Sequence, residues 1–432
     1  MGLHLPSGRC GAHDRGLAVT AAGDGGLRAY AAVTAAYWAF MLSDGALRML
    51  VLLHFNALGF TPLQLAWLFL LYEVAGIVTN LSAGWIAARF GLTRTLYAGL
   101  GLQIAALIGL AQLDPGWSVA ASVGFVMAVQ GVSGVAKDLA KMASKSAVKV
   151  LAPSEGALFR WVAVLTGSKN AVKGLGFFLG AALLAGFGFV PAVLGMAAVL
   201  AVILAAVTAF MPAGLPTGRK GAKFSAVFSK DARINRLSLA RLFLFGARDV
   251  WFVVGIPVYF QSVLSDGSDE GRRAAFFLIG GFMALWIIAY GAVQAAAPRL
   301  LRAKGRPVAA LVRSAATWVG VLAVLTLALA ALPVLGAGTW LTAALVAGLL
   351  AFGFVFAINS ALHSYLILAF SQAERVTMDV GFYYMANAAG RLLGTLLSGL
   401  SYQFGGLPAC LATAAAMAAL SWLAVRRIPA PA

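Results

Sequence analysis

The apolar residues of this chain gather into stretches about twenty long, one after another, and that arrangement constrains the fold more than any single motif. About 20 mainly apolar residues cross the hydrocarbon core of a bilayer as a helix. Breaking the sequence at Pro, Gly and clusters of charge leaves twelve such stretches. They run at about 29–55, 62–88, 93–113, 117–140, 158–185, 189–211, 237–263, 272–298, 308–331, 338–367, 377–402 and 406–425. Composition agrees, at 62% hydrophobic and only 11% charged, against roughly 25% charged in soluble domains. A nucleic-acid binder would set its basic residues on a polar surface, and there is too little polar surface here. The low charge and high aliphatic content also exclude disorder. The expectation is an all-α integral membrane protein.

The 32 Lys and Arg exceed the 14 Asp and Glu by 18, and their distribution orients the chain. Alternate connections hold Arg89 and Arg94, then Lys141, Lys145, Lys149 and Arg160, then Arg219 to Arg236, then Arg299 to Arg306, then Arg375. The opposite connections hold almost no base apart from Arg272 and Arg273, which follow Asp266, Asp269 and Glu270. Basic loops stay in the cytosol. Both termini are therefore expected there, with the chain in a bacterial inner membrane. The division that follows is a cytosolic segment 1–28, a six-helix bundle 29–212, a basic linker 213–236, a second bundle 237–425 and a tail 426–432. Residues 1–26 lack the apolar core of a signal peptide and read as a short disordered lead.

Several chemistries are set aside by what is missing. The two cysteines, Cys10 and Cys410, lie near opposite ends and form neither a disulfide framework nor a metal spacing. Only His54 and His363 of the four histidines fall near apolar segments, so no zinc set assembles by spacing. Gly-Lys never occurs, which excludes a Walker A loop and with it ATP hydrolysis. No cofactor, no metal and no enzymatic activity are expected, and the loops are too short for a soluble catalytic module.

The two halves echo each other. Asp44-Gly-Ala-Leu-Arg48 in the first span parallels Gly246-Ala-Arg248-Asp249 in the seventh, and Lys169 and Lys173 in the fifth parallel Arg391 in the eleventh. Gly84 to Arg94 after the second span parallels Gly291 to Arg306 after the eighth. Internal symmetry of this kind marks a secondary transporter with its site at the repeat interface. Gly84-Trp-Ile-Ala-Ala-Arg89-Phe-Gly91-Leu-Thr-Arg94 resembles the loop signature of the major facilitator superfamily, Gly-x-x-x-Asp-Arg-x-Gly-x-x-Arg, with Ala88 where Asp is usual. Gln130-Gly131 resembles part of that superfamily's fourth-helix motif, but its arginine position, associated with proton antiport, is Met127. The resemblance implies the major facilitator fold, twelve transmembrane helices in two pseudo-symmetric six-helix bundles.

A further resemblance covers nearly the whole chain. Ala46-Leu-Arg-Met-Leu-Val-Leu-Leu-His54, Gly134-Val-Ala-Lys-Asp-Leu-Ala-Lys-Met142, Leu165-Thr-Gly-Ser-Lys-Asn-Ala-Val-Lys-Gly174 and Leu244-Phe-Gly-Ala-Arg-Asp-Val-Trp-Phe252 look like the organoarsenical efflux permease family, ArsJ. The resemblance implies export of 1-arseno-3-phosphoglycerate and arsenate resistance. It also implies a functional partner, a glyceraldehyde-3-phosphate dehydrogenase that makes this compound from arsenate. A monomer is expected. Another organic phosphate or anion as substrate, or multidrug efflux, are the alternatives.

A charge at the bilayer centre costs about 2.5–3.5 kcal/mol on insertion scales and so marks function. Eight lie near the midplane: Asp44, Arg48, Glu73, Lys169, Lys173, Arg248, Asp249 and Arg391. Five are basic and three acidic, a net +2 that suits an anionic ligand. Arg48 and Arg248 occupy corresponding places, and superfamily members that carry organic phosphates resemble this arrangement. The planar guanidinium fork donates two parallel hydrogen bonds to an oxyanion. Arg48 either serves that role or pairs with Asp44 one turn away. Lys169 and Lys173, with Asn170 beside them, share one face and either hold an anion or pair with Glu73.

Lys137, Lys141, Lys145 and Lys149 form a stripe leaving the membrane. Lys137 and Lys141 are candidates for an anion entry funnel, against a plain snorkelling role for the stripe. Asp44, Glu73 and Asp249 are candidate proton carriers, or neutralise neighbouring bases. Gly84, Arg89, Gly91 and Arg94 are the gating-loop candidates. Asn359, His363, Asn387, Tyr383 and Tyr384 read as polar glue between helices or as ligand contacts. Gly176 with Gly180, and Gly390 with Gly394, are spaced for close helix packing. Trivalent arsenic would require thiolates, which the spans do not cluster, whereas a pentavalent arsenate ester suits Arg and Lys.

Overall fold

The computed structural model describes residues 14–151, 155–210, 229–302, 306–336, 338–371 and 376–429. Within these, the side chains of 14–27, 81, 83–85, 87–89, 145–146, 148–151, 155–167 and 376–378 lie outside the description. The readings placed on Cys10, on Arg219 and most of the 213–236 linker, on Lys145 and Lys149, and on the side chain of Arg89 fall there.

The first half comprises α1 (Asp14–Ala57), α2 (Pro62–Leu68), α3 (Leu70–Phe90), α4 (Leu92–Leu110), α5 (Val119–Leu151), α6 (Glu155–Phe187) and α7 (Phe189–Phe210). The second comprises α8 (Ala232–Val250), a π-helical turn Trp251–Gly255, α9 (Ile256–Leu264), α10 (Asp269–Leu300), α11 (Val308–Leu335), α12 (Thr339–Phe370) and α13 (Val376–Arg426). Among the described residues ten helical stretches are long and apolar enough to cross a membrane. The nineteen-residue α4 makes an eleventh pass. The twelfth arises because α13 breaks at Gly406 (φ 60°, ψ −155°), two residues before Pro408.

Three details differ from the periodicity reading. The second span is two helices, α2 ending at Phe69, whose amide bonds back to Ala66 and Trp67 carbonyls. A capping box on Thr61 with Gln64, and Pro62 at the first turn, start it. The seventh span starts early, at Ala232, because Asp231 caps it by accepting from Arg233 N at 2.7 Å. The Arg233 side chain, bonded to the same carboxylate, holds Asp231 below its ordinary pKa. The first helix starts at Asp14, inside the stretch read as a lead, in spite of Gly16, Gly23, Gly25 and Gly26.

Glycine pairs draw each half together in the same way. A methyl on Gly176 of α6 would come within 2.5 Å of Leu42 O in α1, and one on Gly180 would strike Ala46 O. In the second half a methyl on Gly390 of α13 would strike Leu242 O in α8, and one on Gly394 would meet Gly246 O at 2.7 Å. The fifth pass thus presses on the first as the eleventh presses on the seventh. This is the internal symmetry, expressed as backbone contact.

The halves meet along two seams. Gly174 of α6 abuts Ala284 O of α10, and Gly399 of α13 abuts Pro62 O and Ala66 of α2. The second seam, at the end away from the basic connections, also carries Leu63 N donating to Gln403 Oε1 at 3.2 Å. The core behind is aromatic in the second half, where Trp251 packs edge-on to Trp286 and Phe352 at 5.3 and 5.2 Å between centroids.

Candidate functional site

Five charges, drawn from both halves, form one ribbon. Arg48 Nη1 lies 3.1 Å from Glu73 Oε1, and Arg391 Nη2 reaches the same oxygen at 2.6 Å. Arg391 Nε continues to Asp249 Oδ2 at 3.4 Å, and Asp249 Oδ1 accepts from Arg248 at 2.5 Å. Three guanidiniums and two carboxylates alternate from α1 through α3 and α13 to α8, leaving one excess positive charge. Arg48 and Arg248 do not face each other directly, because Arg391 stands between them. The Arg391–Glu73 pair joins the two halves. A further polar tie, Asn170 Nδ2 to Gln294 Oε1 at 3.4 Å, crosses the α6–α10 seam.

The local sequence explains this placement. Asp44 and Arg48 share a face of α1 one turn apart, but Arg48 turns to Glu73 instead of Asp44. Asp44 accepts from Tyr72 Oη at 2.5 Å and lies 3.6 Å from Lys173 Nζ. The pairing of Lys173 with Glu73 offered by the sequence is therefore replaced by one with Asp44. Lys169, one turn away on α6, is half-buried. Aromatic faces hold the arginines, with Phe69 and Tyr72 at 5.0 and 5.5 Å from Arg48, and Phe245 at 4.9 Å from Arg248. Glu73 Oε2 and Arg48 Nη2 are buried without a hydrogen-bond partner, so the ribbon carries unused donor and acceptor capacity.

Beside it, towards the basic end, Lys141 bonds Asp138 at 2.9 Å and Asn80 at 2.7 Å. Thr79 donates to Asp138 at 2.9 Å. Lys137 is buried with its ammonium 3.9 Å from the Tyr72 ring centroid. Neither lysine snorkels, and Asp138 joins the interior charges.

In the loop after α3, Gly91 adopts φ 89° as the N-cap of α4, a left-handed conformation that makes glycine the natural residue there. Arg94 is exposed. Gly84 belongs to the last turns of α3.

The periodicity reading overlooked Arg241. It is buried in α8, donating from Nε to Asn387 Oδ1 at 3.0 Å and from Nη1 to Ser360 O and Oγ at 3.2 and 3.1 Å. Its spacing of seven from Arg248, which repeats one helical face, was the available signal. Asn359 and His363 lie on the same helix as Ser360. Among the described residues Asn359 Nδ2 donates back to Val355 O within α12, and Asn359 Oδ1 and both His363 nitrogens are buried without partners. Glue between helices is therefore supplied by Ser360 and Asn387.

Twelve apolar passes in two symmetric halves, with buried charge where they meet, are the architecture of a polytopic membrane transporter. Residues 33–367 match the Major Facilitator Superfamily model, and the chain belongs to that superfamily. It is similar in fold to the crystal structure of the nucleoside transporter NupG (D323A mutant), with a TM-score of 0.68 and 16% identity over 94% of this chain and 98% of that one. It is likewise similar to a bacterial homologue of the iron transporter ferroportin in the inward-facing state. There the TM-score is 0.64 and the identity 16%, over 93% and 98%. No curated protein sequence matches significantly.

Proposed function

We propose that this transporter moves an organic anion by alternating access, and that its substrate is an arsenylated phosphoglycerate leaving the cell. The observation that carries the anion reading is the ribbon of three arginines compensated by only two carboxylates. An arriving oxyanion takes over guanidinium hydrogen bonds that Glu73 and Asp249 otherwise accept, since charge-assisted bidentate bonds are the strong ones. Arg48, Arg248 and Arg391 hold it, with Lys173, Lys169 and Asn170 along the α6 side, while Lys137 and Lys141 guide it from the basic end. Because Arg391 and Glu73 belong to different halves, that exchange loosens a tie between the halves as the ligand binds.

The arsenical and the direction of export rest on the resemblance to the ArsJ permeases, as does supply of substrate by a glyceraldehyde-3-phosphate dehydrogenase. The location in a bacterial inner membrane, with cytosolic termini and the divisions at 29–212 and 237–425, follows from the basic connections. Asp44, Glu73 and Asp249 each have basic partners, which supports a charge-balancing role over proton carriage. Nucleosides and iron, carried by the two structural neighbours, suit this interior less well: a nucleoside offers no anion to the ribbon, and an iron cation would be repelled.

The test is uptake of arsenylated phosphoglycerate, generated in place by the dehydrogenase, into everted vesicles. Arg48→Gln or Arg248→Gln is expected to lower uptake at least tenfold, matching a loss of about 1.5–3 kcal/mol for a charge-assisted bond. Undiminished uptake in both variants overturns the site.

A further inference from the structure

One buried guanidinium stands apart from the ribbon. Arg241 lies seven residues before Arg248 on α8, which sets it on the same face about 10 Å nearer the basic end. Phe245 sits between them, its ring centroid 3.9 Å from Arg241 Cζ and 4.9 Å from Arg248 Cζ. Those two distances cap the separation of the cations at about 9 Å. Arg48, Arg248 and Arg391 each have a carboxylate partner. Arg241 has none within 4.0 Å among the described residues.

Burying a cation away from any opposite charge is costly. Phe245 and the Tyr383 ring at 5.0 Å offset part of that, and three neutral acceptors satisfy Nε and Nη1. The adjoining stretch of α12 also carries unpartnered polar atoms. His363, one turn beyond Ser360, and Asn359, the residue before it, keep three buried polar atoms without partners. Structural clusters in apolar interiors are usually fully satisfied. Among the described residues this one lacks a carboxylate within 4.0 Å of Arg241 and a donor for Asn359 Oδ1.

We propose that Arg241 is a second oxyanion subsite, working with Arg248 across Phe245, and that the carrier therefore selects ligands bearing two anionic groups on a short hydroxylated carbon chain. The proposal rests on the organic-anion reading above and narrows it. One oxyanion engages Arg248 and the ribbon. The other supplies the counter-charge missing at Arg241 and accepts from Nη2, and a ligand hydroxyl donates to Asn359 Oδ1. A three-carbon backbone with charged ends is long enough to bridge guanidiniums so close together.

The experiment measures binding to the purified full-length protein in lipid nanodiscs by calorimetry, with two probes. 3-Phosphoglycerate carries a phosphate and a carboxylate, whereas glycerol 3-phosphate keeps the phosphate but has a hydroxymethyl group in place of the carboxylate. The wild-type protein is expected to bind 3-phosphoglycerate about tenfold or more tightly than glycerol 3-phosphate. Arg241→Gln is expected to bring that ratio close to one by weakening 3-phosphoglycerate alone, and Arg241→Lys to restore part of it. Arg48→Gln is expected to weaken both probes together.

A wild-type ratio near one, with both probes bound, overturns the second subsite and leaves the anion reading standing. So does a ratio unchanged in Arg241→Gln, or an equal weakening of both probes in that variant. Binding of neither probe overturns the anion reading and the subsite with it. The wild-type ratio needs no variant, so the proposal stays falsifiable should Arg241→Gln fail to fold.

Discussion

Glu73 is the residue on which the interior turns, because its single oxygen Oε1 accepts from arginines of both halves. Removing it strands Arg48 and leaves Arg391 only Asp249 at 3.4 Å, and breaking a buried pair from one side costs about 3–5 kcal/mol. Glu73→Gln and Arg391→Gln are each expected to destabilise the protein on that scale. The double variant is expected to lose less than the two single losses together, by about 0.5–3 kcal/mol. Unfolding of the purified variants in a common detergent measures this, and strict additivity would show that the two side chains are not coupled. At this scale the sequence is informative about which residues bear charge inside the membrane and uninformative about their partners. Arg48 and Asp44 are one turn apart, yet each bonds elsewhere, since a long guanidinium chooses among every helix within reach. Arg241 escaped notice because it lies near the end of its pass, where an arginine ordinarily snorkels. Only its burial against Phe245 and Ser360 shows otherwise.

Among the elements, the small-residue spacings at Gly176 and Gly180, and at Gly390 and Gly394, predict close helix packing from sequence, and the backbones do touch there. The break after α8 was not legible. Val254 and Gly255 amides turn to Ser398 Oγ at 3.2 and 3.1 Å, and Pro257 has no amide to return to the ladder. The chain widens into a π turn immediately after Arg248 and Asp249, where such turns often accompany function. The α2–α13 seam yields a prediction of its own. A side chain at Gly399 cannot fit against Pro62 O and Ala66, so Gly399→Leu is expected to hold that end apart. A cysteine at Leu63 should then react several-fold faster with a water-soluble maleimide than in the Gly399 parent. Equal rates would mean that this seam does not close the end of the transporter.

For the whole molecule, the excess of 18 positive charges is chiefly a signal of orientation, and it predicts both termini on the cytosolic side. A fluorescent protein fused after Ala432 is expected to fluoresce, and alkaline phosphatase fused there to be inactive; the reverse pattern would invert the topology. The transporter class and the twelve passes follow from sequence because a bilayer imposes one length and one hydrogen-bonding solution on every crossing segment. Two-fold repetition is legible for the same reason, as matching motifs at matching depths. What only the tertiary structure decides is which charges meet: Arg391 placed between Arg48 and Arg248, Glu73 shared between halves, and Arg241 left without a carboxylate within 4.0 Å among the described residues. Those outcomes depend on contacts between helices far apart in the chain, where a side chain's partner is set by helix rotation and by the close approach that glycines permit, and neither is encoded in local hydrophobic periodicity.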